Sequence, residues 1–103
     1  MSLIDWRDFS GTAAWDALDI AEVEGATVRV HWTDAPYRWH VNDGEEVFVV
    51  LSGTVDMKLR EGGIEKSVRM TAGDIFHAGV GTEHVAHPLE PSRILVVEKK
   101  GSV

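Results

Sequence analysis

The chain has 103 residues, enough for one small domain, and its 44% apolar and 26% charged residues are typical of an ordinary globular protein. Acidic residues outnumber basic ones 17 to 10, and the resulting charge of −7 disfavours nucleic acid or an anionic membrane as a partner. The absence of cysteine excludes disulfides and thiolate metal sites. We expect a cytoplasmic protein, because the first residues show no secretory pattern and no segment approaches the ~20 apolar residues of a membrane span.

The first quarter of the chain predicts an arm, residues 1–25, which packs on a β domain formed by residues 26–103. Within this arm, the alanines and leucine between Thr12 and Leu18 predict one short helical turn. We interpret Trp6 and Trp15 as the side chains that hold the arm against the domain.

The rest of the chain is predicted to be strands and turns. Between Thr27 and Trp32, Val28, Val30 and Trp32 alternate with polar residues, which predicts a half-buried strand. The later predicted strands are Val47–Leu51, Val55–Arg60, Ser67–Met70, Ile75–Ala78, Val85–His87 and Arg93–Val97. Short strands at such regular spacing predict an all-β sandwich or barrel.

One of these strands is apolar on both faces. Val47, Val49 and Leu51 share the face opposite Phe48 and Val50, whereas a strand with one solvent-facing side should alternate. These three residues need a cover, either the N-terminal arm or a second subunit. We expect a homodimer.

The chemically distinctive residues lie in two stretches, Trp39–Gly53 and Gly73–His84. Since successive strand residues point to opposite faces, His40 and Asn42 share one face. A turn at Asp43–Gly44 returns the chain antiparallel, which brings Glu46 into the same interior.

These stretches resemble the two signature motifs of the cupin superfamily. His40 takes the place of the first histidine of a His-x-His pair, Glu46 takes the acidic place, and Gly53 follows after six residues. In the second motif, Gly73 is the opening glycine and His84 the histidine. The resemblance implies a double-stranded β-helix, a jelly-roll barrel, that commonly holds a divalent metal at four motif positions. Those positions here are His40, Asn42, Glu46 and His84.

Asn42 is the departure that bears on metal binding, because it stands where the family has its second histidine. An amide oxygen is a weaker ligand than imidazole for first-row transition metals. His40, Glu46 and His84 still supply two imidazoles and a carboxylate, the ligand set of non-haem iron(II) oxygenases. Iron, manganese, nickel and zinc are all compatible with this set. The alternative is a metal-free polar network in which the histidines hydrogen-bond to the buried carboxylate.

Other residues are assigned by strand alternation. Tyr37, Phe48 and Phe76 are candidates for the apolar wall of a pocket, and Tyr37 is also a candidate proton donor. The remaining histidines are interpreted as surface or interface residues, because their strand neighbours are expected to point inward. They are His31, His77 and His87.

Two functions are consistent with these residues. The first is a metal-dependent enzyme, an oxygenase or isomerase, that acts on a small organic molecule. The second is a module that binds or senses a sugar or small acid without catalysis. Cupin folds host both kinds of protein, so the fold does not choose between them.

Overall fold

The computed structural model of the chain describes residues 1–102, which form nine β-strands and one short 3-10 helix. The helix spans Trp6–Asp8, and the strands are β1 (Asp16–Val23), β2 (Ala26–Thr33), β3 (His40–Val41), β4 (Glu46–Ser52), β5 (Thr54–Glu61), β6 (Ile64–Thr71), β7 (Ile75–Ala78), β8 (Glu83–Pro88) and β9 (Ser92–Lys99). Among the described residues, no helix has the length and apolarity needed to cross a membrane.

The strands form two antiparallel sheets. One has five strands in the order β1-β2-β9-β4-β7, and the other has four in the order β3-β8-β5-β6. From β2 to β5, each successive strand lies in the opposite sheet, so the chain winds around a shared interior. The predicted all-β architecture is confirmed; the closed jelly-roll barrel stays a prediction.

The hydrophobic core fills the space between the two sheets. It consists of Phe48, Val50, Ile94 and Val96 from the five-stranded sheet and Val55, Met57, Met70 and Ala86 from the other. Burial of each large apolar side chain contributes about 1.5–3 kcal/mol, so this cluster is the main source of stability.

The inward positions of the strands change from apolar to polar along their length. On β4, Val50 and Phe48 point into the core, and Glu46 is the next inward residue toward the start of the strand. On β9, the corresponding inward residues are Ile94 and Val96, followed by Glu98, which pairs in register with Glu46. One end of the sandwich is therefore an apolar core and the other end a polar interior.

The N-terminal segment differs from the sequence prediction. The prediction of a helical turn between Thr12 and Leu18 is wrong, because β1 begins at Asp16 and pairs with β2. The reason is local: Asp16 Oδ2 accepts backbone hydrogen bonds from Thr12 at 2.8 Å and Ala13 at 3.2 Å, which closes a turn before the strand starts. Residues 16–23 are thus an edge strand of the sheet, and the arm proper is shorter than predicted.

Two side chains hold this shorter arm on the sheet. Arg93 of β9 donates from Nε to the Phe9 carbonyl at 2.6 Å and from Nη2 to the Ser10 hydroxyl at 3.1 Å. Trp15 donates from Nε1 to the Ala35 carbonyl at 3.1 Å.

Gly53 joins β4 to β5 and has a φ of 90°, a conformation that L side chains rarely adopt. A Cβ at this position would lie 2.8 Å from the Cα of Ser92, a backbone atom that cannot move away cheaply. We expect Gly53→Ala to lower the free energy of unfolding by about 3 kcal/mol, the sum of left-handed strain and overpacking. Urea denaturation followed by circular dichroism measures this loss.

Gly62→Ala is the matched control, because Gly62 also has a positive φ, 57°, but a Cβ there would meet no atom within 4 Å. Its loss should be about 1–2 kcal/mol, the strain alone. Equal losses in the two variants would contradict the proposed contact with Ser92.

Candidate metal centre

Three side chains from three different strands meet at the polar end of the interior. His40 of β3 pairs in register with His84 of β8, and their ring centroids lie 4.3 Å apart. Glu46 of β4 approaches from the other sheet, with Oε1 3.0 Å from Nε2 of His84. One potential ligand atom from each of the three residues lies within 4.8 Å of the others. The cluster therefore joins the two sheets at one point.

In both histidines, the Nδ1 atom lies beside a backbone carbonyl. The Nδ1 atom of His40 lies 3.0 Å from the Arg38 carbonyl, and that of His84 lies 3.2 Å from the Thr82 carbonyl. Since a carbonyl oxygen can only accept, Nδ1 carries the hydrogen, and the neutral ring leaves an unprotonated Nε2. Backbone carbonyls that fix the tautomer in this way are typical of metal-ligating histidines.

The contact between His84 and Glu46 is buried, with the two residues only 1% and 6% exposed. An unprotonated Nε2 next to a carboxylate oxygen would place two lone pairs against each other. The contact is favourable only if positive charge lies between these atoms, either a second proton on the imidazole or a metal ion. Donors bound to one transition-metal ion at about 2.1 Å lie roughly 3–3.5 Å apart, so the three residues fit such an ion with small shifts.

The pKa directions favour metal-binding protonation states at two of the three residues. Burial, reinforced by the neighbouring His84, lowers the pKa of His40 and favours the neutral ring. Burial by itself would raise the pKa of Glu46, but hydrogen bonds with His84 and Glu98 and the nearby imidazoles hold it below its usual range. Glu46 is therefore a carboxylate.

Asn42, predicted as the fourth ligand, is buried, and its Nδ2 has no hydrogen-bond partner in the described part of the chain. A buried amide N–H without an acceptor costs about 1–3 kcal/mol, but Nδ2 is a donor, and a metal ion would bind the amide oxygen. Asn42 is not on the wall of the adjoining cavity. Its role as a ligand stays a prediction.

A cavity of about 180 Å³ adjoins the three clustered residues. Of the predicted wall residues, Tyr37 and Phe48 line it, and the Tyr37 ring contacts the His40 ring at a centroid distance of 5.2 Å. Phe76 is not on the cavity wall; it packs against the core, with its ring centroid 6.0 Å from that of His84.

The cavity also contains a histidine that the sequence interpretation placed on the surface. His31 lines the cavity, its Nδ1 lies 3.2 Å from the Trp15 carbonyl, and burial lowers its pKa. The alternation predicted for β2 is correct, but the polar face with Arg29 and His31 is the one that lines the cavity. The remaining histidines lie elsewhere: His77 is exposed beside Glu45, and His87 is partly exposed.

Sequence reasoning also missed Glu98, which lines the cavity next to Glu46. Burial and the adjacent Glu46 carboxylate raise the pKa of Glu98 to about 8, so near neutral pH the metal-free pair shares one proton. Strand alternation contained the signal, since Ile94 and Val96 are inward and Glu98 is two residues further on.

The fold and the site define a small two-sheet β protein with a His-Glu-His cluster in its interior. The family model described as Cupin domain matches residues 24–98. The chain therefore belongs to the cupin family. No curated protein matches the sequence.

Solved structures show the same fold. A cupin-2 domain containing protein from Shewanella frigidimarina is 24% identical, with a TM-score of 0.80 and 95% of each chain covered. Hydroquinone 1,2-dioxygenase PnpCD in complex with Fe3+ is 17% identical, with a TM-score of 0.77 over 87% of this chain and 29% of that one. Hydroxypropylphosphonic acid epoxidase from S. wedmorenis is 13% identical, with a TM-score of 0.69 over 80% and 49% of the two chains.

The adjacent carboxyl groups of Glu46 and Glu98 predict that the stability of the metal-free protein depends on pH. Folded Glu98 keeps its proton up to about pH 8, whereas the unfolded residue, with an ordinary pKa of 4.5, loses it near that pH. Between these values the folded state binds more protons, so the free energy of unfolding falls as pH rises. Glu46, whose pKa is lowered, affects the free energy of unfolding only below about pH 4.5, outside the range in which Glu98 does.

We expect Glu98→Gln to reduce this loss, so that its melting temperature falls less than that of the wild type between about pH 5 and about pH 8. Thermal unfolding in the presence of a chelator measures the effect. Glu65→Gln, an exposed residue on β6, is the control and should follow the wild type. The same pH slope in all three proteins would rule out a shared proton.

Proposed function

We propose that this protein binds one divalent transition-metal ion at His40, Glu46 and His84 and acts on a small organic molecule in the adjoining cavity. The observation that carries the proposal is the 3.0 Å contact between the carboxylate and the Nε2 of His84, whose Nδ1–H is already used by a backbone carbonyl. The cavity beside it provides space for the organic molecule.

The three residues would hold the ion through two imidazole nitrogens and one carboxylate oxygen, with Asn42 as the proposed fourth ligand. When bound, the ion supplies Lewis-acid polarisation of a substrate oxygen or, as iron, activation of dioxygen. Iron, manganese, nickel and zinc all fit this ligand set, and the Fe3+ complex of the structurally similar dioxygenase supports iron as the first candidate.

The protein's own side chains provide acid–base groups beside the ligands. Tyr37 contacts His40 and lines the cavity, where its hydroxyl is a candidate proton donor. Glu98 is a second candidate, because it lies beside Glu46 on the same wall. Phe48, Ala86 and Val96 form the apolar parts of the wall. Acid–base side chains next to an apolar wall favour an enzyme over a passive binding module.

Metal content of protein purified without a histidine tag tests the site. We expect about one equivalent of Fe²⁺, Mn²⁺, Ni²⁺ or Zn²⁺ after reconstitution, and a loss of affinity exceeding the 10- to 100-fold typical of outer-shell changes in His84→Ala. His77→Ala is the control, since His77 is an exposed histidine paired with Glu45. If no ion binds, or if both variants bind equally, the metal-free sugar- or acid-binding module becomes the better hypothesis.

We also propose that the chain forms a homodimer through the outer face of the five-stranded sheet. Val28, Val97 and Val47 are neighbours across β2, β9 and β4, and Val30, Leu95 and Val49 form the next row. Most of these side chains are only partly buried within one chain. A second copy of the same face would cover this apolar surface.

Sedimentation of two variants tests the dimer. Val47→Glu places a charge in the centre of this face and should shift the protein to monomer. Val68→Glu, on an exposed position of β6, should leave the association unchanged. A wild-type protein that sediments as a monomer at micromolar concentration would contradict the proposal.

Three further features belong to the same proposal. The passage of successive strands from β2 to β5 between the sheets supports closure into a jelly-roll barrel. The packing of an N-terminal arm on the domain is supported by the contacts of Arg93 with Phe9 and Ser10, although residues 16–23 of the predicted arm belong to the sheet. The cytoplasmic location rests on the sequence alone.

A further inference from the structure

Arg29 is the arginine on the wall of the cavity beside the candidate metal centre. It lies on the inner face of β2, where it pairs in register with Val96, which in turn pairs with Phe48 of β4. Since adjacent strands are about 4.8 Å apart, β2 and β4 are separated by about 10 Å. Arg29 and Glu46 line the same cavity, so one small molecule in it can contact both residues.

The guanidinium retains binding capacity. Within residues 1–102 its ion pair is with Asp19 of β1, from Nε to Oδ1 at 2.8 Å, and the Asp19 side chain is 79% exposed. An exposed pair of this kind contributes little to stability. Neither Nη atom of Arg29 has a hydrogen-bond partner among the described residues, and Glu98 forms no ion pair with it there. Two parallel N–H groups are the geometry that binds a carboxylate in a bidentate manner.

An aromatic wall extends from the same cavity to the metal ligands. The centroids of Trp15 and Tyr37 lie 5.2 Å apart, and Tyr37 is the same distance from His40. Trp15 has a φ of 64°, a rare conformation for a bulky residue, and its indole is fixed by the hydrogen bond to the Ala35 carbonyl. Backbone strain of this kind is concentrated at functional sites.

We propose that the substrate is a small aromatic carboxylate, whose acid group binds Arg29 and whose ring lies against Trp15 and Tyr37. The inference rests on the proposed function, since the opposite end of the molecule would reach His40, Glu46 and His84. The cavity volume of about 180 Å³ is below the 300–1,000 Å³ typical of sites for drug-sized ligands, so a single ring is the appropriate size. Glu46 and Glu98 also line the cavity, but the guanidinium of Arg29 and the rings of Trp15 and Tyr37 together favour an aromatic anion over a neutral sugar.

Binding can be tested without the metal, by titrating ¹⁵N-labelled protein that contains a chelator with benzoate or with its neutral analogue benzyl alcohol. The indole N–H signal of Trp15 and the amide signals of β2 report binding at the cavity. We expect saturable binding of benzoate, with benzyl alcohol at least about tenfold weaker because it cannot form the charge-assisted bonds to Arg29. Buffers without carboxylate or phosphate avoid competition.

Variants of two arginines identify the group responsible. Arg29→Gln should weaken benzoate binding about tenfold and bring it close to that of benzyl alcohol, and Arg29→Lys should have an intermediate effect. Arg69→Gln is the matched control, because Arg69 also pairs with an aspartate, Asp56, but on the other sheet and outside this cavity. Its benzoate affinity should equal that of the wild type.

The outcomes separate this inference from the proposed metal site. Equal affinities for benzoate and benzyl alcohol, equal effects of the Arg29 and Arg69 variants, or no benzoate binding at millimolar concentration with or without metal would overturn the inference. Stoichiometric metal binding in that case would leave the proposed function intact. Benzoate binding that depends on Arg29 in a protein that binds no metal would support the inference and contradict the metal site.

Discussion

The contact between Glu46 and His84 is the interaction on which the interior of this protein depends. It joins the two sheets at a point where both residues are almost completely buried. A buried carboxylate is stable only when hydrogen bonds and positive charge compensate the lost hydration. Two neighbouring groups help to meet this requirement. The Thr82 carbonyl fixes the tautomer of His84, and the carboxyl group of Glu98 lies beside Glu46.

The two ends of the sandwich divide stability and chemistry between them. Core residues such as Val50 and Ile94 exclude water at one end, where only apolar contacts are needed. A few residues further along the same strands, the inward positions carry Glu46 and Glu98, which destabilise the fold unless they are satisfied. The rigid core therefore holds the polar residues in fixed positions, which a binding or catalytic site requires.

Membership of the cupin family accounts for the fold. It does not account for the cavity wall, because similarity to structures that are less than 25% identical shows the fold alone. Trp15 and Arg29 lie outside the two motif stretches, on the arm and on β2. In the proposed binding mode, these two residues recognise the ring and the acid group of the substrate.

The sequence by itself was sufficient to predict most of the strands and, through the resemblance to the cupin motifs, the three clustered residues. Period-two alternation is a local property that puts His40 and Asn42 on one face, and the resemblance to the cupin motifs implies that this face points to the interior. The same alternation does not say which face of a strand lines a cavity, so the polar face of β2 was assigned to the surface. A polar cavity reverses the usual rule that the apolar face points inward.

Tertiary structure alone decided the neighbours of these residues. Glu98 became part of the site because the register of β4 and β9 places it opposite Glu46. Trp15 lies on the cavity wall because the turn closed by Asp16 is followed by an edge strand and not by a helix. Phe76 was excluded from the cavity wall by its packing against the core. The register that pairs Glu98 with Glu46 and the packing of Phe76 depend on contacts between residues that are distant in sequence, whereas the turn at Asp16 is a local interaction.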